Sequence, residues 1–175
     1  MLSTPGAISG VPMAQQPATA PAQAPQQIKD LRPSVTTNIN LTFIVLEKGP
    51  LSRIGEAGPL VSVALVADAT AAVHLQLWGP ECDAFQPGDI VRLTNGVFSF
   101  HKTNLVLRAG KKGTLEKTGE FTMVFSENVN MSKLQWVADP VNAKQWNPVG
   151  FNPHSPQGSQ YHHGALLGNP RGPFH

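Results

Sequence analysis

From Leu41 onward the chain repeatedly alternates between apolar and polar positions. In VHLQLW, Val73, Leu75 and Leu77 fall on one side of an extended backbone and His74, Gln76 and Trp78 on the other. Short runs rich in branched and aromatic residues occupy Leu41–Glu47, Leu60–Ala67, Val73–Trp78, Ile90–Phe100, Leu105–Ala109 and Glu120–Ser126. Each is short for a helix and is flanked by turn-forming residues, so each is expected as a strand. The segment Lys48–Pro59, with three glycines and two prolines, and the basic, glycine-containing Lys111–Gly119 are expected as loops.

Two interruptions refine this picture. GPECDAFQPGD has room for one helical turn around Glu81–Phe85 before Pro87 and Gly88 stop it, which excludes a full crossover helix. Asn95 and Gly96 break the alternation of the fourth strand, and a glycine there marks a bulge, so the registers on its two sides are independent. Five strands with an abbreviated helical turn between the third and fourth match an all-β fold, a single Greek-key barrel of the OB type. The sixth strand would close or extend it.

Composition changes sharply at both ends. Residues 1–27 carry no charge and are built mainly from Ala, Pro, Gln, Gly, Ser and Thr; residues 147–175 are rich in Asn, Pro, Gly, His and Gln. Both are expected as disordered tails around a folded domain at 28–127, which opens at IKDLRP, and an extension at 128–146. A chain of 175 residues suits one such domain. Cys82 is the single cysteine, which excludes an internal disulfide and a zinc site built on cysteine pairs. No apolar run approaches the roughly 20 residues that span a bilayer. The N-terminus lacks a secretory pattern and the arginines of a transit peptide. A soluble intracellular protein without membrane contact is expected.

Net charge is only +2, but from Arg92 to Lys117 the chain carries Arg92, Lys102, Arg108, Lys111, Lys112 and Lys117 against Glu116 alone. A large aromatic on the open face of a small sheet beside such a run suits unstacked bases attached to a polyanion. Trp78 is the expected stacking platform, with Arg108, Lys102, Lys111, Lys112 and Arg92 neutralising phosphate. The loop GKKG is not a nucleotide-hydrolysing P-loop: Leu105 stands where that motif needs its first glycine, and a lysine follows Lys111 instead of Ser or Thr. Asp68, Asp83 and Asp89 sit at turns without pairing as acid and base. Cys82 reads as a small buried thiol. Irregular spacing of His154, His162, His163 and His175 argues against a metal site. No enzyme activity, cofactor or metal is expected.

The pieces IKDLRP, LTFIVLEKG, VADATAAVHLQLW, QPGDIVRLTNG and GEFTMVFSE together resemble the eukaryotic simple single-stranded DNA-binding proteins, the B subunits of the SOSS complex. The resemblance covers Ile28 to Glu127. It implies one OB-fold with a disordered tail, single-stranded DNA as ligand, a nuclear role in the response to DNA breaks, and an Integrator-like protein partner on a surface including the last strands. Glu120, Phe121, Phe125 and Glu127 are the corresponding partner candidates. Trp78 matches the family's stacking tryptophan. Other stacking positions of the family fall on Val97, His101 and Arg108, of which His101 keeps a planar ring and Arg108 can stack through its guanidinium. Phe98 and Phe100 have the opposite parity and join the binding face only if the bulge at Gly96 shifts the register. Two alternatives stand beside DNA binding: a barrel that mainly joins proteins, favoured by the missing aromatics at Val97 and Arg108, and a binder preferring RNA.

Overall fold

The computed structural model of the chain describes residues 26–33 and 38–151. The expected tails at 1–27 and 147–175 lie largely outside the described residues. Strands β1 (Ile39–Lys48), β2 (Ser52–Arg53), β3 (Leu60–Ala67), β4 (Ala72–Trp78), β5 (Asp89–His101), β6 (Asn104–Glu120), β7 (Trp136–Ala138) and β8 (Trp146–Pro148) follow one another, with the short helix α1 (Glu81–Ala84) between β4 and β5.

Pairing closes the sheet. β1 runs antiparallel to both β3 and β5, β3 to β4, and β5 to β6. β6 then meets β4 in parallel at Leu75 and Leu107. The ring β1-β3-β4-β6-β5-β1, with its single helical turn before β5, is the OB architecture. Alternation builds its interior: Val73, Leu75 and Leu77 of β4 join Phe43, Val45, Val91, Leu93 and Leu107 in one core. Each large apolar side chain taken from water contributes about 1.5–3 kcal/mol.

The end of the barrel differs from expectation. Lys111–Gly119 is not a loop but the continuation of β6, where Leu115, Glu116 and Lys117 pair with Leu93, Arg92 and Val91. Leu115 packs against the core there while its charged neighbours face solvent, an alternation that the glycines and lysines obscure in the sequence. Conversely, the segment expected as a strand at Glu120–Ser126 leaves the sheet after Glu120. Phe121 takes φ 57°, its N–H donates to the Gly88 carbonyl at 2.9 Å, and its ring rests on Gly88. Gly88 has φ 96°, and a Cβ there would lie 2.1 Å from that ring. The loop expected at Lys48–Pro59 contains the two-residue strand β2.

The extension after Glu127 completes the same core. Ala72 N–H donates to the Val129 carbonyl at 2.8 Å and Met131 N–H to the Ala72 carbonyl at 2.9 Å, which seats buried Met131 beside β4. The β7–β8 hairpin follows, with β8 straddling the expected start of the tail at Asn147. Trp136 meets Phe98 edge-on, at 6.3 Å between ring centroids, and donates its indole N–H to the Met131 carbonyl. The Arg32 guanidinium lies 5.7 Å from the Trp136 ring centre. At the chain's other end, buried Asp68 ties down the first turn: its carboxylate accepts from Ile28 N–H at 2.7 Å and from Thr70 and Ala71 N–H within its own turn.

A second buried carboxylate holds β5 to β6. Asp89 accepts from Gln86 N–H at 2.9 Å and pairs with the Lys117 ammonium at 2.8 Å. Burial alone would raise the Asp89 carboxyl, but the Lys117 contact and the Gln86 N–H outweigh it and hold the group below its ordinary 3.8. A depressed carboxyl stabilises the fold above its unfolded pKa and loses that contribution as pH falls through the folded value. Lys117 is 41% exposed, so solvent screens part of the attraction. Asp89→Asn should therefore lower unfolding free energy by about 1–2 kcal/mol at pH 7. The difference from wild type should shrink below pH 3.8 in denaturant titrations; a pH-independent difference would refute the linkage.

Candidate nucleic-acid interface

The groove-bearing face is made by a slip between β5 and β6. Thr94 pairs with Thr114, but Gly96 pairs with Ala109, so residues 110–113 stand opposite Asn95 without partners in register. Asn95 adopts φ 52°. Before the slip Val91 and Leu93 point inward; after it Gly96 and Phe98 do. Val97, Ser99 and His101 consequently face outward. The bulge needs its glycines, because a Cβ on either Gly110 or Gly113 would lie 2.7 Å from the Asn95 carbonyl oxygen. Between them Lys111 and Lys112 are carried out from the sheet and exposed.

A groove of about 840 Å³ runs over this surface. Trp78 from β4, Val97 and Ser99 from β5 and Arg108 from β6 line it, with Asn38, Asn95, Lys111 and Lys112 along its edge. β4's alternation turns Trp78 outward, and its backbone N–H donates to the Glu81 carboxylate of α1 at 3.0 Å. His101 stands edge-on to the Trp78 ring at 5.9 Å and 87°. Arg108 donates to the Ser99 hydroxyl at 3.3 Å. Among the described residues the ion pairs all belong to Lys117, which joins Asp89 and Glu120. Arg108, Lys111 and Lys112 therefore keep their charge unopposed at the groove.

Several expected residues lie elsewhere. Phe98 is wholly buried in the core, correcting its inclusion on the binding face; the register shift expected to turn it outward is instead what turns it inward. Phe100 has the same parity but lies beyond the barrel wall, half-exposed against Trp146 at 5.6 Å. Lys102 is exposed at the tip of the β5–β6 turn with φ 57°. Arg92 precedes the slip and lines a separate depression of about 540 Å³ with Asn40, Thr42 and Met123; Asn38 borders both hollows. Of the partner candidates, Glu120 ends β6 beside Lys117, while Phe121, Phe125 and Glu127 are exposed on the irregular segment that follows. Asn95 and Ser99 line the groove without having been expected as binding residues. The break at Asn95 and the parity of Ser99 with Val97 are the signals that identify them.

Other reactive groups are structural. Burial pushes the Cys82 thiol up, with neighbouring Asp83 adding to the effect, and its sulfur lies 3.5 Å from the Leu77 carbonyl. Burial and then Lys133 lower the His74 imidazole, whose ring contacts Asn130. Among the described residues no three His, Cys, Asp or Glu side chains gather as a metal site, and the four tail histidines lie outside them.

Comparison with known proteins adds distant relatives by sequence. Among them, the single-stranded DNA binding protein Ssb of Saccharolobus solfataricus is 28% identical over 97 residues, covering 54% of this chain. That relative binds single-stranded DNA. The match spans 65% of its length, just under two thirds. No protein-family model matches the chain. By structure the chain resembles the hypothetical protein F20O9.120 from Arabidopsis thaliana, with TM-score 0.54 and 21% identity over 78% of this chain and 98% of that one. It also resembles the OB domain of Ta0387 from Thermoplasma acidophilum, with TM-score 0.45 and 19% identity over 54% and 86% of the two chains. The first of these likenesses concerns the fold.

The bulge geometry makes a direct prediction. Gly113→Ala forces a Cβ to 2.5 Å from the Gly110 nitrogen and should destabilise the domain by about 1–3 kcal/mol in chemical denaturation. Gly119→Ala in the same strand meets only the Ile90 side chain at 3.5 Å and should cost far less. Equal losses at both positions would argue against the bulge.

Proposed function

We propose that the groove binds single-stranded DNA, largely independently of sequence. The observation that carries this reading is the juxtaposition, in one hollow, of an outward tryptophan with Arg108, Lys111 and Lys112, none paired with an acid. A ring stacks on any base, and unopposed cations displace the counterions of the backbone. Similarity to a single-stranded DNA-binding protein on an OB barrel supports nucleic-acid binding. His101 buttresses the Trp78 ring, and Lys102 and Arg92 extend the positive surface.

Titration of the full chain with labelled single-stranded DNA, single-stranded RNA and duplex of equal length tests the proposal. Single-stranded DNA should bind best, and Trp78→Ala should cost about 1–3 kcal/mol for every sequence. Three phosphate contacts predict a slope of log affinity against log salt of about −2. Equal binding by the Trp78→Ala variant removes the groove from the mechanism, and tighter binding of RNA replaces the ligand.

A finer reading follows from the resemblance to SOSS B subunits: a nuclear protein acting at DNA breaks with an Integrator-like partner seated on the segment after β6. Supporting it, Phe121, Val124 and Phe125 are 74%, 79% and 44% exposed there, away from the groove residues. Val124→Asp with Phe125→Asp should leave DNA titrations unchanged and abolish binding to a purified Integrator-like subunit. Retained partner binding would place that surface elsewhere.

A further inference from the structure

Next to the groove lies the depression that holds Arg92, and β5 lines both. Ser99, Val97 and Asn95 belong to the groove; Thr94, Leu93 and Arg92 belong to the depression. The two hollows therefore follow one another along a single strand and meet at the slip, where Asn38 borders each of them. Asn40 holds this junction: its Oδ1 accepts from the Asn95 N–H at 3.1 Å, and its Nδ2 donates to the Asn38 carbonyl at 3.2 Å. The slip also brings both sets of side chains to one face. Arg92 alternates with inward Val91 and Leu93, while Val97 and Ser99 alternate with inward Phe98.

Charge in the depression is arranged as it is at the groove. Arg92 is exposed, with Thr42 of β1 and Glu116 of β6 as its cross-strand neighbours. Glu116 forms no ion pair with it, since the ion pairs among the described residues all belong to Lys117. Asp68, the acid in the lining, has its carboxylate engaged by the N–H groups of Ile28, Thr70 and Ala71. We propose that a single strand leaving the groove over Asn38 continues into this depression, where Arg92 takes one further backbone phosphate. Along β5, Ser99 to Asn95 spans about 13 Å, and Arg92 lies about 10 Å beyond, a short step for an extended strand. No aromatic side chain is among the described residues that line the depression, so it holds backbone and stacks no base. The strand thus runs off across the slip, away from the β5–β6 turn at Lys102. This inference rests on the groove being the single-strand site.

The test titrates the full chain with labelled dT oligomers of about 4 to 16 nucleotides. The shortest should bind wild type and Arg92→Gln equally. Once an oligomer spans both hollows, wild-type affinity should rise by about fivefold more than that of Arg92→Gln. The slope of log affinity against log salt should then steepen by about 0.7 in wild type alone. Comparing the two proteins at each length removes the gain that comes from a longer oligomer offering more registers. Glu116→Gln, which takes away the acid beside Arg92, should tighten the long oligomers only. A gain with length that is the same in Arg92→Gln overturns the proposal. Equal losses in Arg92→Gln at every length, or equal tightening in Glu116→Gln at every length, overturn it too, because either would place Arg92 in the general field of the groove. Trp78→Ala separates the two readings: if it weakens all oligomers while length makes no difference, the groove stands and its continuation falls. If wild type binds no oligomer, the groove reading itself fails, and this one with it.

Discussion

The slip between β5 and β6 at Asn95 is the constraint on which the rest of the molecule depends. In a strand, moving the register by one residue exchanges the two faces. Without the slip the parity set by Val91 and Leu93 would continue, Phe98 would stand in solvent, and Val97 and Ser99 would crowd the core. One irregularity thus fills the barrel's interior and clears a polar hollow on its outside. The close approach of the Asn95 carbonyl to Gly110 and Gly113 links the irregularity in β5 to the lysines of β6. Core packing and the positive rim are therefore consequences of a single backbone event.

Charge is sorted by the same framework. Asp68 and Asp89 are buried and spend their oxygens on backbone N–H groups and on Lys117, at the two places where the barrel must be tied. The cations at the groove are left without such partners. A net charge of +2 thus conceals a locally polarised surface, and the distribution of charges rather than their sum is the relevant quantity.

Much of this was legible in the sequence, where alternation was strict. Val73 to Trp78 declared both its buried face and its outward tryptophan, and QPGD with the Asn95-Gly96 break marked a helix stop and a bulge. What was not legible has physical causes. Lys111–Gly119 looks like a loop because Gly113, like Gly110 just before it, answers to the Asn95 carbonyl, a contact that is not local in sequence. EFTMVFS has strand composition, yet the Phe121 ring over Gly88 takes the chain out of the sheet. Phe98 could not be assigned by parity, since parity is what the bulge resets.

The extension has a temporal consequence as well as a spatial one. Met131 and Trp136 finish a core that begins with Ile28, so the barrel's last apolar contacts join distant parts of the chain. Folds dominated by such non-local contacts form slowly, because chain entropy is lost before the contacts repay it. On a ribosome, Phe98 would remain uncovered until the tryptophan made after it emerged. Over that interval the nascent barrel keeps apolar surface in solvent, a state in which β-rich chains readily find one another.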